Sequence, residues 1–496
     1  MQSPHATAVP PGLTLVFGAS GYIGTNLVPR LLSEGFRVRA AARKREVLEA
    51  RKWHGAELVE ADATKPDTLR PALHGVETAY YLVHSMASGR GFGDLDLEAA
   101  RNFARAAGEA GVRRIVYLGG LVPEGADSEH ILSRRDTGDA LREGPVPVIE
   151  LRAGIIVGAG SAAFEVMRDL VLNLPLMITP RWVQARSPPI ALENLLGYLV
   201  RLPQVSEAEG RIFDCGGPET LTYAEMMKRL AIIAGKEPPR ILAVPVLTPR
   251  LSSYWLALVT AVPTSIARAL IGGLKHDFHA DDAELRRMVP QRLLDFDESV
   301  RAVFAAEESH AVQARWTEGA FPIRGYRREH AFYAKRAGGS AETTASPAQV
   351  WDVVKRIGGA NRYYCADLVW WLRETLDWMI GGPGRNRGRR DPDELRVGDH
   401  VDSWHVIGVE PGRRLTLSFG MKAPGAGVLE IVLQPLDDGG SRLTATAYWH
   451  PAGVWGLVYW YALVPAHLFI FKCMTRNMCR RAEDSRDADA DRVPPA

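Results

Sequence analysis

The chain opens on an apolar run, Leu13 to Phe17, broken only by Thr14, which predicts a buried strand. Glycines follow at 18, 21 and 24. Ile23, Leu27, Val28, Leu31 and Leu32 then recur at helical spacing and predict an amphipathic helix. The same alternation continues. Arg37 to Ala42, Glu57 to Asp62, Ala79 to Val83, Arg114 to Leu118, Val146 to Leu151 and the stretch from Ile212 read as strands. Helical patterns fall between them, one from Asp67 and one from about Asp94 to Ala110. Strands that alternate with helices predict an α/β, doubly wound parallel sheet, because parallel neighbours need a crossover helix.

A different pattern starts near Ala331. Ser340 to Thr344 reads as a strand. Ser346-Pro347 with Gln349 is a helix start, with an N-cap serine, proline at the first helical position and a capping-box glutamine. Val350, Trp351, Val354 and Ile357 give that helix its apolar face. Val401 to Glu410, Arg413 to Met421, Gly427 to Gln434 and Ser441 to Trp449 alternate as strands, with turns at Pro411-Gly412, Pro424-Gly425 and Asp438-Gly439-Gly440. A long apolar helix follows, about Gly453 to Ala482. Between the two patterns, Lys236 to His330 carries several prolines. Tyr254 to Leu274 is mostly apolar there, but Pro263 and Arg268 interrupt it, and a charge near the centre of a span costs a few kcal/mol. It reads as packing helices. The expected organisation is a lead over 1–11, a Rossmann-type domain over 12–235, a helical linker or substrate-side region over 236–330, an α+β domain over 331–485 and a tail over 486–496.

Composition narrows the partners. With 60 basic against 58 acidic side chains and a net charge of +2, nothing points to nucleic acid. Cys215 and Cys365 stand alone, and Cys473 and Cys479 lack zinc spacing, so the four cysteines read as reduced thiols in a cytoplasmic protein. The first residues do not form a signal peptide, and the acidic, proline-containing tail from Asp484 reads as disordered. Eight of the twelve tryptophans lie after position 331, enough to line an apolar site or to fill a core. Ala452 to Phe471 has no charged residue and is long enough to cross a bilayer. His467 and Pro465 break it, so it reads as a buried or amphipathic helix, with peripheral membrane contact as the second reading.

The chemistry begins at the glycines. Strand, tight turn and helix is the setting in which Gly18, Gly21 and Gly24 bring backbone close to a pyrophosphate, with the helix N-terminus facing it. Gly18, Ala19, Ser20, Gly21, Tyr22, Ile23 and Gly24 are therefore candidate cofactor contacts. At the end of the second strand an acidic residue would favour NAD. Arg43 and Lys44 stand there instead, and a guanidinium fork suits a 2′-phosphate, so NADP is expected over NAD. Val83, His84 and Ser85, at the end of the fourth strand, face the same crevice.

The Gly-x-x-Gly-x-x-Gly spacing resembles the short-chain dehydrogenase/reductase superfamily, and most of all its atypical, NmrA-like members, over about residues 1–235. Arg152 to Gly160, Pro188 to Asn194 and Ile212 to Tyr223 resemble later segments of extended members. The resemblance implies that Asp62, with the backbone of Ala63, contacts adenine. It also implies a Ser or Thr at the end of the fifth strand and a Tyr-x-x-x-Lys beyond. This chain has Gly119-Gly120, then His130 and Arg134. A histidine can donate a proton near neutral pH and an arginine cannot, so His130 and Arg134 are the candidate catalytic pair, with His130 as proton donor. Residues 331–485 resemble the START-like helix-grip fold, whose sheet wraps a long helix around an apolar cavity. The expected function is an oxidoreductase passing hydride between NADP(H) and a lipophilic carbonyl or quinone-like compound. The alternatives are a catalytically weak or inactive NADP(H)-sensing or lipid-binding protein and a membrane-docked scaffold.

Overall fold

The computed structural model describes residues 12–49, 51–83, 92–174, 176–244, 276–308, 334–382 and 389–490. They fall into two compact units, one holding residues 12–308 of that set and the other 334–490.

In the first unit β1 (Leu13–Phe17) is buried at every position. It is joined by β2 (Val38–Ala42), β3 (Glu57–Glu60), β4 (Val76–Tyr81), β5 (Arg114–Gly120), β6 (Val148–Ala153) and β7 (Ile212–Cys215). All neighbours pair in parallel, in the order β7-β6-β5-β4-β1-β2-β3. This is the doubly wound sheet that the alternation predicts. The chain reverses its winding between β1 and β4, the place where such sheets open a crevice at their strand ends. Helix α1 (Tyr22–Ser33) buries Leu27, Val28 and Leu31 in a core with Val16, Val38 and Ala40 on one face of the sheet. On the other face Phe17, Tyr81 and Phe103 pack ring to ring, with Phe103 supplied by α2 (Phe92–Glu109). Strand β5 runs through Gly120, past the end at Leu118 that the apolar run marks. Two further helices are α3 (Glu129–Arg142) and α4 (Ala162–Asn173). Helix α5 (Phe296–Glu308) belongs to this unit as well, and its Glu307 pairs with the fully buried Arg168 of α4 at 2.7 Å. The apolar stretch Tyr254 to Leu274 lies outside the described residues.

The second unit is an antiparallel sheet of β8 (Lys335–Thr343), β9 (His400–Val401), β10 (Trp404–Glu410), β11 (Arg414–Phe419), β12 (Gly425–Pro435) and β13 (Ser441–Pro451), in the order β8-β13-β12-β11-β10-β9. The single strand read over Val401 to Glu410 is two, because Asp402 turns the chain with a left-handed φ of 53°. Helix α6 (Pro347–Val354) starts on the expected capping box. The last helix, α8 (Gly453–Ala490), lies on β8 and β13. It comes so close that a Cβ on Gly339 would sit 2.5 Å from the Lys472 backbone nitrogen.

Other features depart from the sequence reading: α8 continues to Ala490, through residues expected as a disordered tail, and a disulfide and a helix were not foreseen. Cys365 and Cys473 are not separate thiols. The fold brings them to a disulfide of 2.07 Å, tying the chain ahead of α7 (Asp367–Met379) to α8. Cys215 and Cys479 are free and buried. Helix α7 itself went unread, and the reason is physical. It is turned inside out, with Glu374 and Asp377 buried (2% and 0% exposed) while Leu368, Trp371, Leu372, Leu376 and Met379 face outward. A stripe sought on the inward face is not there.

Candidate cofactor and active site

Gly18 leaves β1 with φ of 90°, a conformation that suits glycine, and a Cβ there would lie 2.9 Å from the Leu82 carbonyl. Gly21 closes the turn by donating its N–H to the Gly18 carbonyl at 3.0 Å and serves as the N-cap of α1. The third glycine is fixed by packing: a Cβ on Gly24 would lie 2.5 Å from the Gly18 oxygen and 2.6 Å from the Ala19 Cα. The Thr25 hydroxyl braces the turn by donating to the Ala19 carbonyl at 3.2 Å. The first turn of α1 carries no acidic side chain and no side-chain cap. Its N–H groups and the positive end of its dipole are therefore open to an anion. This turn, packed so tightly that a Cβ on Gly18 or Gly24 would meet neighbouring backbone, with an open helix N-terminus, fits the pyrophosphate of a dinucleotide.

The ribose side follows from β2 and β3. Arg43 and Lys44 are exposed just past Ala42 and form no ion pair among the described residues, whereas Arg45 is paired with Glu49 at 2.9 Å. Asp62 is held in a local turn, its Oδ1 accepting from the Thr64 N–H and hydroxyl at 3.0 and 2.8 Å. The Ala63 carbonyl accepts from Asn102 at 3.0 Å, so helix α2 fixes this loop. The Val83 side chain reaches the turn, with Cγ2 3.3 Å from where a Gly18 Cβ would be. His84 and Ser85 lie outside the described residues.

At the end of β5 the structure accounts for the missing hydroxyl. The place beside Gly119 is taken by a buried carboxylate. Glu150 of β6, 1% exposed, holds Arg152 at 2.7 Å and also pairs with Arg142. A Cβ on Gly119 would lie 2.9 Å from Glu150 Oε1, and one on Gly138 2.7 Å from Oε2. Beside Gly120 lies Arg134. Its guanidinium donates to the Leu118 carbonyl at 2.7 Å, and its Nε, 3.3 Å from a Gly120 Cβ position, is buried without a partner. Tyr117, pushed up to about 12 by burial, donates its hydroxyl to the Arg134 carbonyl at 2.8 Å and so ties α3 to β5. His130 is half-buried one turn ahead of Arg134 on α3. The two share a face because side chains four apart are neighbours on a helix. Arg134 is a fixed cation at the strand end, and His130 is the member of the pair that can give up a proton.

Sequence reasoning named Tyr22 as part of the turn but not for its hydroxyl. That hydroxyl is buried without a partner, and burial, with Glu165 nearby, pushes its pKa well up, so it stays protonated. A Cβ on Gly158 would come within 2.4 Å of it. The buried Glu150 was also missed, although a carboxylate inside the apolar run Val146 to Leu151 was its signal.

The second unit has a cleft of about 100 Å³ lined by Trp370, Trp404, Phe419, Trp449, Trp460 and Phe471. Its charged groups are spoken for. Arg373 donates to the Tyr459 hydroxyl at 3.2 Å and the Lys422 carbonyl at 2.9 Å and faces the buried Asp377 at 3.6 Å. Burial lowers His467 to about 4, which leaves it neutral at physiological pH.

Residues 18–137 match the protein family described as NAD(P)H-binding, and residues 330–474 match a family described as a protein of unknown function, DUF2867. The chain is 34% identical over 126 residues to sterol demethylase protein B of Methylococcus capsulatus, which is 24% of this chain and 38% of that protein. It therefore spans less than half the length of that relative. It is 28% identical over 233 residues to the (4-alkanoyl-5-oxo-2,5-dihydrofuran-3-yl)methyl phosphate reductase of Streptomyces griseus, 45% of this chain and 74% of that protein. Among solved structures it is similar to an NADPH-dependent quinone oxidoreductase of Escherichia coli complexed with NADPH. That match has a TM-score of 0.49 at 20% identity and covers 59% of this chain and 99% of the other.

Proposed function

We propose that this chain, an NAD(P)H-binding Rossmann module joined to a DUF2867 module, is a reductase that delivers hydride from NADPH to a lipophilic carbonyl or quinone-like compound. The observation that carries the reading is the tight turn of Gly18, Gly21 and Gly24 between β1 and α1, together with Arg43 past the end of β2, which forms no ion pair among the described residues. Bound NADPH supplies the hydride that adds to the carbonyl carbon. The chain's own residues supply the rest. Arg43 and Lys44 take the 2′-phosphate, Asp62 and Ala63 the adenine, and Val83 lines the dinucleotide. Arg134, held to the Leu118 carbonyl, offers its open Nε to a ribose or substrate oxygen. His130 gives its proton to the substrate oxygen as hydride arrives and takes another from water.

The second unit, read as a START-like helix-grip fold, adds a cleft for the lipophile. Arg373 is already paired and His467 is neutral, so the cleft favours an uncharged ligand over a carboxylate. The name of the sterol relative agrees with an apolar ligand, whereas the furan relative is named for a phosphate ester. The relevant assay measures NADPH consumption by the full chain against a panel of lipophilic aldehydes, ketones and quinones. Oxidation above that of Gly21→Asp is expected with at least one of them, and none above that control sinks the reading.

A second reading rests on Gly119 and Gly120, which put no hydroxyl at the strand end: a non-catalytic NADP(H) sensor or lipid binder. Turnover lost in His130→Ala at unchanged NADPH affinity rules it out.

A further inference from the structure

The outer surface of the second unit is built the wrong way round for water. Helix α7 buries two of its three carboxylates: Glu374 meets Arg362 at 3.5 Å and Asp377 accepts from the Lys422 N–H at 2.6 Å, while Asp367 at its start is exposed and pairs with Arg362 at 3.3 Å. It turns Leu368 (76% exposed), Trp371, Leu372, Leu376 and Met379 outward. Helix α8 does the same along one line. Trp455 (76% exposed), Val458, Ala462, Pro465 and Phe469 are all exposed. Their spacing of three and four residues puts them on a single face. The opposite face of α8 supplies Trp460, His467 and Phe471 to the cleft, so burial on that side does not relieve this one. The two helices are neighbours, joined by Arg373 to Tyr459 and by the Cys365–Cys473 bond.

The α8 line continues at the same spacing and changes character. After Phe469 come Lys472, Arg476 and Arg480, all exposed. No carboxylate stands on it up to that point. At the far end of α7 the exposed Lys422 donates its ammonium to the Ile380 carbonyl at 3.0 Å. Tryptophans and aliphatic side chains with a cationic border are the make-up of an element that lies in the headgroup region of a bilayer. A second copy of this chain is a poorer match, since the α8 stripe offers no acidic group to meet its three cations and Asp367, the exposed carboxylate of α7, is already paired with Arg362.

We propose that the outer faces of α7 and α8 dock the second unit on an anionic lipid bilayer as a peripheral, in-plane contact, beside the cleft that the same helices line. The docking stands on this unit alone and does not require the reductase chemistry.

The test is flotation of the full chain with vesicles of phosphatidylcholine, with and without phosphatidylglycerol. The chain is expected to float with the anionic vesicles, at least tenfold more than with the neutral ones, and to be released by high salt and by alkaline carbonate. Trp371→Ser with Trp455→Ser and Phe469→Ser should abolish flotation, because all three side chains are exposed and the fold does not need them. Lys472→Glu with Arg476→Glu should remove only the preference for the anionic vesicles. Thermal melting and NADPH binding of each variant, unchanged from the parent chain, show that the fold is kept. A chain that stays unfloated overturns the proposal. So does an unfloated chain that dimerises through these residues, a triple variant that floats as well as its parent, or retention after carbonate extraction, which marks a spanning helix.

Discussion

At the scale of the residue, the proposal makes Arg43 the side chain that chooses between the two nicotinamide cofactors. Its neighbour Arg45 is occupied by Glu49, but Arg43, just past the end of β2, has its guanidinium unpaired among the described residues. A charge-assisted hydrogen bond is worth about 1.5–3 kcal/mol, which corresponds to roughly ten- to a hundredfold in affinity. Arg43→Asp is therefore expected to weaken NADPH by about that factor in a fluorescence titration and to leave NADH equal or tighter. Equal loss of both would move the 2′-phosphate contact elsewhere. The residue scale is also where sequence reading stopped short. Gly119 reads as a missing hydroxyl when the chain is set beside its resembled superfamily. In the fold it is the clearance for Glu150, a residue 31 positions away in sequence that no local pattern connects to it.

At the scale of the element, β1, the glycine turn and α1 were legible because period and turn chemistry are local properties. The capping box at Ser346 was legible for the same reason, and it forms. What failed was α7, whose apolar residues face the wrong way, and the Cys365–Cys473 pair, whose partners lie 108 positions apart. The disulfide closes a long loop within the second unit, and a loop of about that length removes on the order of 2–5 kcal/mol of unfolded-state freedom. Tryptophan emission reports on that unit, since eight of the twelve tryptophans lie in it. Denaturant unfolding followed by this signal is expected to shift to lower denaturant when Cys365 and Cys473 are both replaced by serine. An unchanged midpoint would mean that the two sulfurs sit together without stabilising the unit.

At the scale of the whole molecule, a dinucleotide module and an aromatic-lined module share one chain. The first was readable as an architecture from the alternation of strands and helices, and the second from its turn-separated strands and closing helix. Substrate identity was not readable, because it depends on how side chains distant in sequence shape the cleft and the strand ends. The account stands or falls on whether hydride leaves NADPH and arrives on a substrate. The most direct measurement is incubation of the full chain with NADPH carrying deuterium at the reactive C4 position and a lipophilic aldehyde, ketone or quinone, followed by mass spectrometry of the recovered compound. For an aldehyde or ketone, one deuterium on the reduced carbon is expected, absent with Gly21→Asp and much reduced with His130→Ala. For a quinone, whose reduced form exchanges label, stoichiometric conversion to the hydroquinone takes its place. Unlabelled, unreduced compound across the panel, from a chain that binds NADPH, would contradict the reductase reading and leave a cofactor-binding protein in its place.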